Sequence, residues 1–331
     1  MKPTLLQAFL VKAIKARRPI LVKGAPGIGK TDIVKAAALQ SKADLIITHP
    51  VVDDPTDYKG LPYVVEGHAD FMPFGNLRRL RDAKRLTICF MDDLGQAVPT
   101  VQAAAMQLIL GREINGIPIS KHVMFIAATN RKQDKAGVAG VLEPVKSRFA
   151  SIIELEVSDD DWVKWAFENN MPTELIGFIR YRPGLLHDFK ATADITNTPS
   201  PRTVANVGYL MNMGCPAGTE YDAYMGAAGK GFASELIAYL EVCDELPDLK
   251  VCLDNPKTVK VPEKPATRFA MCVGLAARVT ETKMKNFVIL MDRFPPDFAV
   301  MAIKTAATKT PSLKNTKEFI KWVAVNNDVL I

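Results

Sequence analysis

Two short stretches carry residue types that do chemistry together. The first is Gly24-Ala25-Pro26-Gly27-Ile28-Gly29-Lys30-Thr31, a GxxxxGK[ST] pattern. The second is Asp92-Asp93, two adjacent carboxylates that end the apolar run LTICFM. Glycines let a backbone curl until its N–H groups face an anion, and a following helix N-terminus adds positive potential. In such a loop the lysine reaches the outer phosphates of a nucleotide and the threonine hydroxyl ligates Mg²⁺. Carboxylates side by side at a buried strand end repel each other and resist desolvation. Two cations in the same site, Mg²⁺ and Lys30, offset them. Asp92 is therefore expected in the metal shell with Thr31, and Asp93 is placed to polarise an attacking water. For Asp93 a plainer role as cap or turn residue also stays open. A second glycine cluster, GAAGKG at 226–231, lacks the spacing and the Ser/Thr and reads as a helix boundary.

These residues need a strand before the loop, a helix after it and a second buried strand ahead of the aspartates. The sequence supplies all three. PILVK (19–23) reads as a strand and 30–39 as a helix. Residues 45–48, 86–91, 123–129 and 152–157 read as further strands, with helices between them, notably 99–110. Apolar strands alternating with helices predict a parallel five-stranded sheet covered on both faces. Two interruptions are expected as hairpins: 63–72, and 112–120, where Asn115-Gly116 sits between apolar residues. After Ser158 the strands stop. Helices are predicted over 159–169, 173–180, 200–211 and 231–243. The proline- and lysine-rich 249–265 reads as a linker or extended arm, followed by three or four helices ending near Asn326. The expected division is a core at 1–157, a helical region at 158–248, and a linker with a C-terminal helical extension at 249–331.

With 331 residues, 48% apolar and 24% charged, the chain has the balance of a soluble globular protein of two or three domains. No segment reaches the apolar length needed to cross a bilayer, so no membrane association is expected. The N-terminal MKPTLLQAFLVKAIKARRP has helical apolar spacing and no small-residue cleavage site, so it reads as an amphipathic helix of the mature protein. Five scattered cysteines without a CxxC pair argue against a disulfide framework or zinc site and fit a reducing cytoplasm. A formal charge of +6 permits nucleic-acid contact without arguing for it.

With GAPGIGKT and FMDD in hand, the chain resembles an AAA+ ATPase. The details resemble the MoxR branch, related to the CbbQ, NorQ and dynein-like modules. PTDYKGLP (55–62) falls where that branch has its second-helix insert, and the 112–120 hairpin matches its insert before the first sensor. The resemblance covers roughly 1–215 well and the C-terminal helices loosely. It implies a P-loop core with hairpin inserts, an all-α lid and C-terminal helices, using ATP and Mg²⁺. It implies that Asn130, ending FIAATN, is the first sensor that helps orient water, and that Arg148, in EPVKSRFA, is an arginine finger pointing into a neighbouring subunit. Lys146 reads as a solvated neighbour. Arg202, in SPRTV, matches the second sensor, with Ser200 as N-cap and Pro201 at N1 of its helix. One departure stands out: the branch usually has Asp-Glu where this chain has Asp92-Asp93. A side chain one methylene shorter predicts slow hydrolysis, with Gln96 as a possible helper.

A finger supplied in trans implies a ring, by family norm a homo-hexamer. MoxR-type proteins commonly remodel or activate a protein client, often beside a von Willebrand A domain protein. The run from DDLGQA to KSRF is also similar to AAA+ proteins of bacteriophages and prophages, which would place the chain in a host cytoplasm. Two other classes stay open. Arg78, Arg79, Arg81, Lys84 and Arg85, and five lysines between 304 and 321, permit a DNA-associated motor or loader, though no DNA-binding motif accompanies them. The Asp93 departure permits a nucleotide-gated ring that rarely hydrolyses.

Overall fold

The computed structural model describes residues 1–134, 140–192 and 194–326. The chain divides into two units, Met1–Ser158 and Asp159–Ile331.

The first unit is built on a five-stranded parallel sheet. Its strands are β1 (Ile20–Lys23), β2 (Asp44–Thr48), β5 (Thr87–Met91), β8 (Val123–Thr129) and β9 (Ser151–Glu154), in the order β2-β5-β8-β1-β9. Two hairpins, β3 (Leu61–Val65) with β4 (His68–Met72) and β6 (Glu113–Ile114) with β7 (Ile117–Pro118), stand apart from it. The helices are α1 (Pro3–Ala16), α2 (Lys30–Gln40), α3 (Thr56–Lys59), α4 (Gly75–Arg81), α5 (Pro99–Gly111) and α6 (Glu143–Lys146). β5 and β8 are buried at every residue, as unbroken apolar runs flanked on both faces must be. One face packs Leu6, Leu10 and Ile14 of α1 and Val34 of α2 against Ile88, Phe90 and Ile126. The other packs Val101, Ala105 and Leu108 of α5 against Cys89, Met91 and Phe125. Burial pushes the Cys89 thiol up to about 12, so it acts as a small apolar core residue. Predicted and observed strands agree closely, except that β9 stops three residues before the expected Val157. Its partner β1 ends at Lys23, opposite Glu154, and turns into the glycine loop, so the ladder closes with Leu155 N–H on Lys23 O at 2.8 Å, and Glu156 N–H turns to Met1 O at 3.0 Å.

PTDYKGLP forms the foot of the first hairpin. Asp54 accepts from the backbone N–H and hydroxyl of Thr56 (2.9 and 2.7 Å), and buried Tyr58 donates to Asp53 Oδ2 at 2.6 Å. Gly60 has φ +88°, and a Cβ there would lie 2.8 Å from the Met72 carbonyl oxygen. At the second hairpin Asn115 and Gly116 both take positive φ (46° and 83°), the tight turn that the pair predicts. Asn115 Nδ2 donates to Lys59 O at 2.8 Å, tying this hairpin to the foot of the first.

The second unit is helical: α7 (Asp159–Glu168), α8 (Thr173–Tyr181), α9 (Pro201–Met213), α10 (Glu220–Ala228), α11 (Lys230–Asp244), α12 (Leu249–Asp254), α13 (Pro265–Ala276), α14 (Met284–Met291), α15 (Pro296–Lys309) and α16 (Lys317–Val325). GAAGKG is indeed a boundary, where α10 ends and α11 begins around Gly229 at φ +90°. The expected extended arm is corrected in its first part. Asp248 caps Lys250 N–H at 2.8 Å, and Leu249–Asp254 forms a helix that buries Cys252 and Leu253. The segment after it is tied down: Arg293 donates to Pro256 O and Val259 O, and Arg268 to Pro262 O, each at 2.6 Å. Trp322 is buried in the core of the C-terminal helices with Phe319 against it, and donates to Asp292 at 2.9 Å. The last five residues of the expected extension, 327–331, lie outside the described residues.

Candidate functional site

β1, β8 and β5 are adjacent and parallel, with Lys23 opposite Thr129 and Met91 opposite Ala127. Gly24, Asn130 and Asp92 therefore leave the sheet side by side at its carboxyl edge, where open α/β sheets hold ligands. Asn130 leaves the middle strand, between the glycine loop and the aspartates.

Gly27 (φ 72°) and Gly29 (φ 90°) take left-handed conformations that curl the loop into the start of α2, whose N-cap position, Gly29, carries no side chain to cap the helix. Buried Lys30 donates to Gly24 O (3.0 Å), Ala25 O (2.9 Å) and Asn130 Oδ1 (2.6 Å). Thr31 Oγ1 donates to Asp92 Oδ2 at 2.6 Å. The other Asp92 oxygen accepts the Asp93 backbone N–H at 3.1 Å. Asn130 Nδ2 donates to Asp93 Oδ1 at 3.5 Å. Asp93 has φ 57° and ψ 33° and starts the one-turn 3-10 helix Leu94–Gln96, with Gln96 N–H donating to Asp93 O. The structure thus brings Lys30, Thr31, Asp92, Asp93 and Asn130 into one hydrogen-bonded group.

This group suits a nucleotide with Mg²⁺. Neighbouring ligands of an octahedral Mg²⁺ stand about 3 Å apart, close to the separation of Thr31 Oγ1 and Asp92 Oδ2. One hydroxyl and one carboxylate leave the remaining positions to phosphate oxygens and water, the usual division for this ion. The start of α2 offers backbone donors to an anion, and Lys30 would exchange one of its bonds to Gly24 O, Ala25 O or Asn130 Oδ1 for a phosphate oxygen.

Arg148 follows α6. It is partly buried, with Nη1 donating to Ser147 Oγ at 3.1 Å and Nε without a hydrogen-bond partner among the described residues. Among the described residues no hydrogen bond or ion pair joins it to the five above. Lys146 pairs with Glu143. Arg202 is exposed in the first turn of α9 in the second unit. Ser200 and Thr203 form a reciprocal capping box there, with Pro201 at N1 as the sequence predicts. Of the basic cluster near the first insert, Arg81 pairs with Asp82, Arg85 with Asp44, and Arg79 bonds Asn76.

Three supporting residues escape sequence reasoning. Gly95 faces Thr129 so closely that a Cβ would lie 2.2 Å from its hydroxyl oxygen. Arg131, beside Asn130, grips Asp134 through two bonds of 2.9 Å and reaches Glu154 at 3.3 Å. Lys23 and Arg131 together hold the Glu154 carboxyl below its ordinary range. Gln102 lies buried in α5 with both ends of its amide engaged. Its signal in the sequence is a polar residue on the apolar face of VQAAAMQLIL.

Residues 20–157 match the family described as "ATPase family associated with various cellular activities (AAA)". The match is to this stretch, which is similar to the AAA ATPase domain. Its glycine loop, aspartates and Asn130 all fall inside the matched residues. Among solved structures, the chain is similar to the P216G mutant of Thermotoga maritima RuvB, at 16% identity and TM-score 0.42, covering 81% of this chain and 79% of that one. It is also similar to the Thermotoga maritima RuvB Holliday junction branch migration motor (13%, TM-score 0.36, 97% and 86%). A third likeness is to NtrX from Brucella abortus in complex with ADP (11%, TM-score 0.43, 99% and 68%). Likenesses this distant assign no role to any residue. No protein among the curated ones matches the chain. Among the described residues no helix is long and apolar enough to cross a membrane.

Proposed function

We propose that the chain is a Mg²⁺-dependent, ATP-hydrolysing ring protein of the MoxR type that remodels or activates a protein partner. The observation that carries this is the convergence of Lys30, Asn130 and the Thr31–Asp92 pair at the ends of three adjacent strands. The loop N–H groups and Lys30 bind the phosphates. Thr31 and Asp92 would hold Mg²⁺, which neutralises phosphate charge when bound. Asp93 polarises the attacking water, and Asn130 orients it. Arg148 serves a neighbouring subunit's site as a finger, and Arg202 reads the phosphates as second sensor. A homo-hexamer is the expected assembly, with a von Willebrand A domain protein the expected kind of partner. The exposed apolar residues of the first hairpin, Leu61, Val64, Phe71 and Met72, support a partner-contacting role for that insert.

The test is steady-state ATP turnover with Mg²⁺ across protein concentration. Specific activity is expected to rise with concentration, because each site borrows a residue from a neighbour. Asp93→Asn should lower turnover by about 10²-fold or more while nucleotide still binds. Concentration-independent turnover would sink the shared-site ring. Nucleotide binding without hydrolysis by wild type would instead favour the nucleotide-gated scaffold.

A further inference from the structure

Gln102 is only 1% exposed, in the first part of α5, yet its side chain makes three hydrogen bonds. Nε2 donates to Ala97 O and to Gly140 O, both at 3.0 Å. Oε1 accepts the Leu142 backbone N–H at 3.0 Å. The two ends of this clamp lead to different places. Ala97 closes the turn that begins at Asp93, its N–H bonded to Leu94 O. Leu142 is the N-cap of α6; its carbonyl accepts from Val145 and Lys146, and Val145 O in turn accepts from Arg148 N–H at 3.1 Å. Gly140 N–H donates to Gly95 O at 3.1 Å, and a Cβ on Gly95 would lie 3.3 Å from Val141. An unbroken series of bonds therefore runs from the aspartate turn through Gln102 to Arg148. Val145 and Phe149, both buried, anchor the far end in the core.

A glutamine in this interior has a specific use. An apolar side chain of the same length would fill the space but take the Gln102 bond from the buried Ala97 carbonyl and from the part-buried Gly140 carbonyl and Leu142 N–H, a loss that folded proteins avoid.

We propose that Gln102 is a positioning residue for Arg148, holding the approach to α6 in register with the Asp92–Asp93 turn. The finger that a subunit lends its neighbour is then set by the lender's own nucleotide site. This rests on the reading of Arg148 as a finger acting in trans.

The test is complementation in mixed rings. Gln102→Met removes the three bonds at similar size. Alone, it should bind a fluorescent ATP analogue within about twofold of wild type but turn over at least about tenfold more slowly. Its own Asp93 is intact, and its defect is in the finger it lends. Asp93→Asn subunits have the reverse defect. Mixed in equal amounts, the two should regain activity, because about one quarter of sites in a random ring pair a good aspartate with a good finger. A merely structural fault in Gln102→Met would not be rescued by neighbours. Arg148→Ala mixed with Asp93→Asn is the control. If the control regains activity and the Gln102→Met mixture does not, the inference falls and the trans finger stands. If the control fails, the trans finger itself falls. Wild-type turnover by Gln102→Met alone would also overturn the inference. Should the Met variant melt too early to assay, Gln102→Glu keeps the shape and the bond to Leu142 N–H. The same rescue is expected of it, and its failure counts equally against the proposal.

Discussion

Asn130 does two jobs that only an amide can combine. Its oxygen accepts from Lys30, and its nitrogen faces Asp93. A carboxylate at 130 would repel Asp93, and a hydrocarbon would serve neither neighbour. Asp93 itself stands in left-handed backbone, which Asp adopts several-fold more readily than most residues other than glycine. That offers a physical reason for Asp where the resemblance leads one to expect Glu. If Thr31 and Asp92 hold Mg²⁺ as proposed, Thr31→Ala leaves Asp92 as the remaining protein ligand. The concentration of Mg²⁺ giving half-maximal turnover is then expected to rise by about tenfold or more, measured by metal titration at saturating ATP. At this scale the sequence was highly legible. The glycine loop and the paired aspartates announce themselves by type and spacing. Gly95 and Arg131 do not, because what defines them is a neighbour far along the chain: Thr129 for one and Glu154 for the other.

Among the elements, the central strands could be read because they are buried on both faces and therefore apolar throughout. The end of β9 could not, since it is set by where β1 turns away. Helix α12 was hidden for a related reason: lysines and prolines around it mask a short buried pair, Cys252 and Leu253. Two elements yield direct tests. Gly95→Ala in the 3-10 turn must displace the Thr129 hydroxyl, and it should cost about 1–3 kcal/mol in chemical denaturation. It should also slow turnover, because the turn carries Asp93. Ser200→Ala removes the capping box of α9, and it should lower stability by about 1 kcal/mol, read as a shift in the denaturant midpoint. Ser200 and Pro201 are among the few residues whose local role sequence and structure give identically, because a helix cap depends on neighbours within one turn.

For the molecule as a whole, the candidate site draws on three segments, 24–31, 92–93 and 130, that only the assembled sheet unites. The sequence shows its strands ending before Ser158, and the two compact units part between Ser158 and Asp159. One detail bears on how such a molecule could acquire a new client. Gly60 and Met72 almost touch, so the chain enters and leaves the first hairpin at nearly the same point. Tyr58 and Asp53 lock the entry side before the hairpin begins. The hairpin is thus a cassette with adjacent ends, exchangeable without lengthening or straining the framework. Replacing 61–72 with two glycines is expected to leave nucleotide affinity within about twofold while abolishing the action on any partner. Recombination at that single junction would exchange the hairpin and leave the glycine loop, the aspartates and Asn130 untouched.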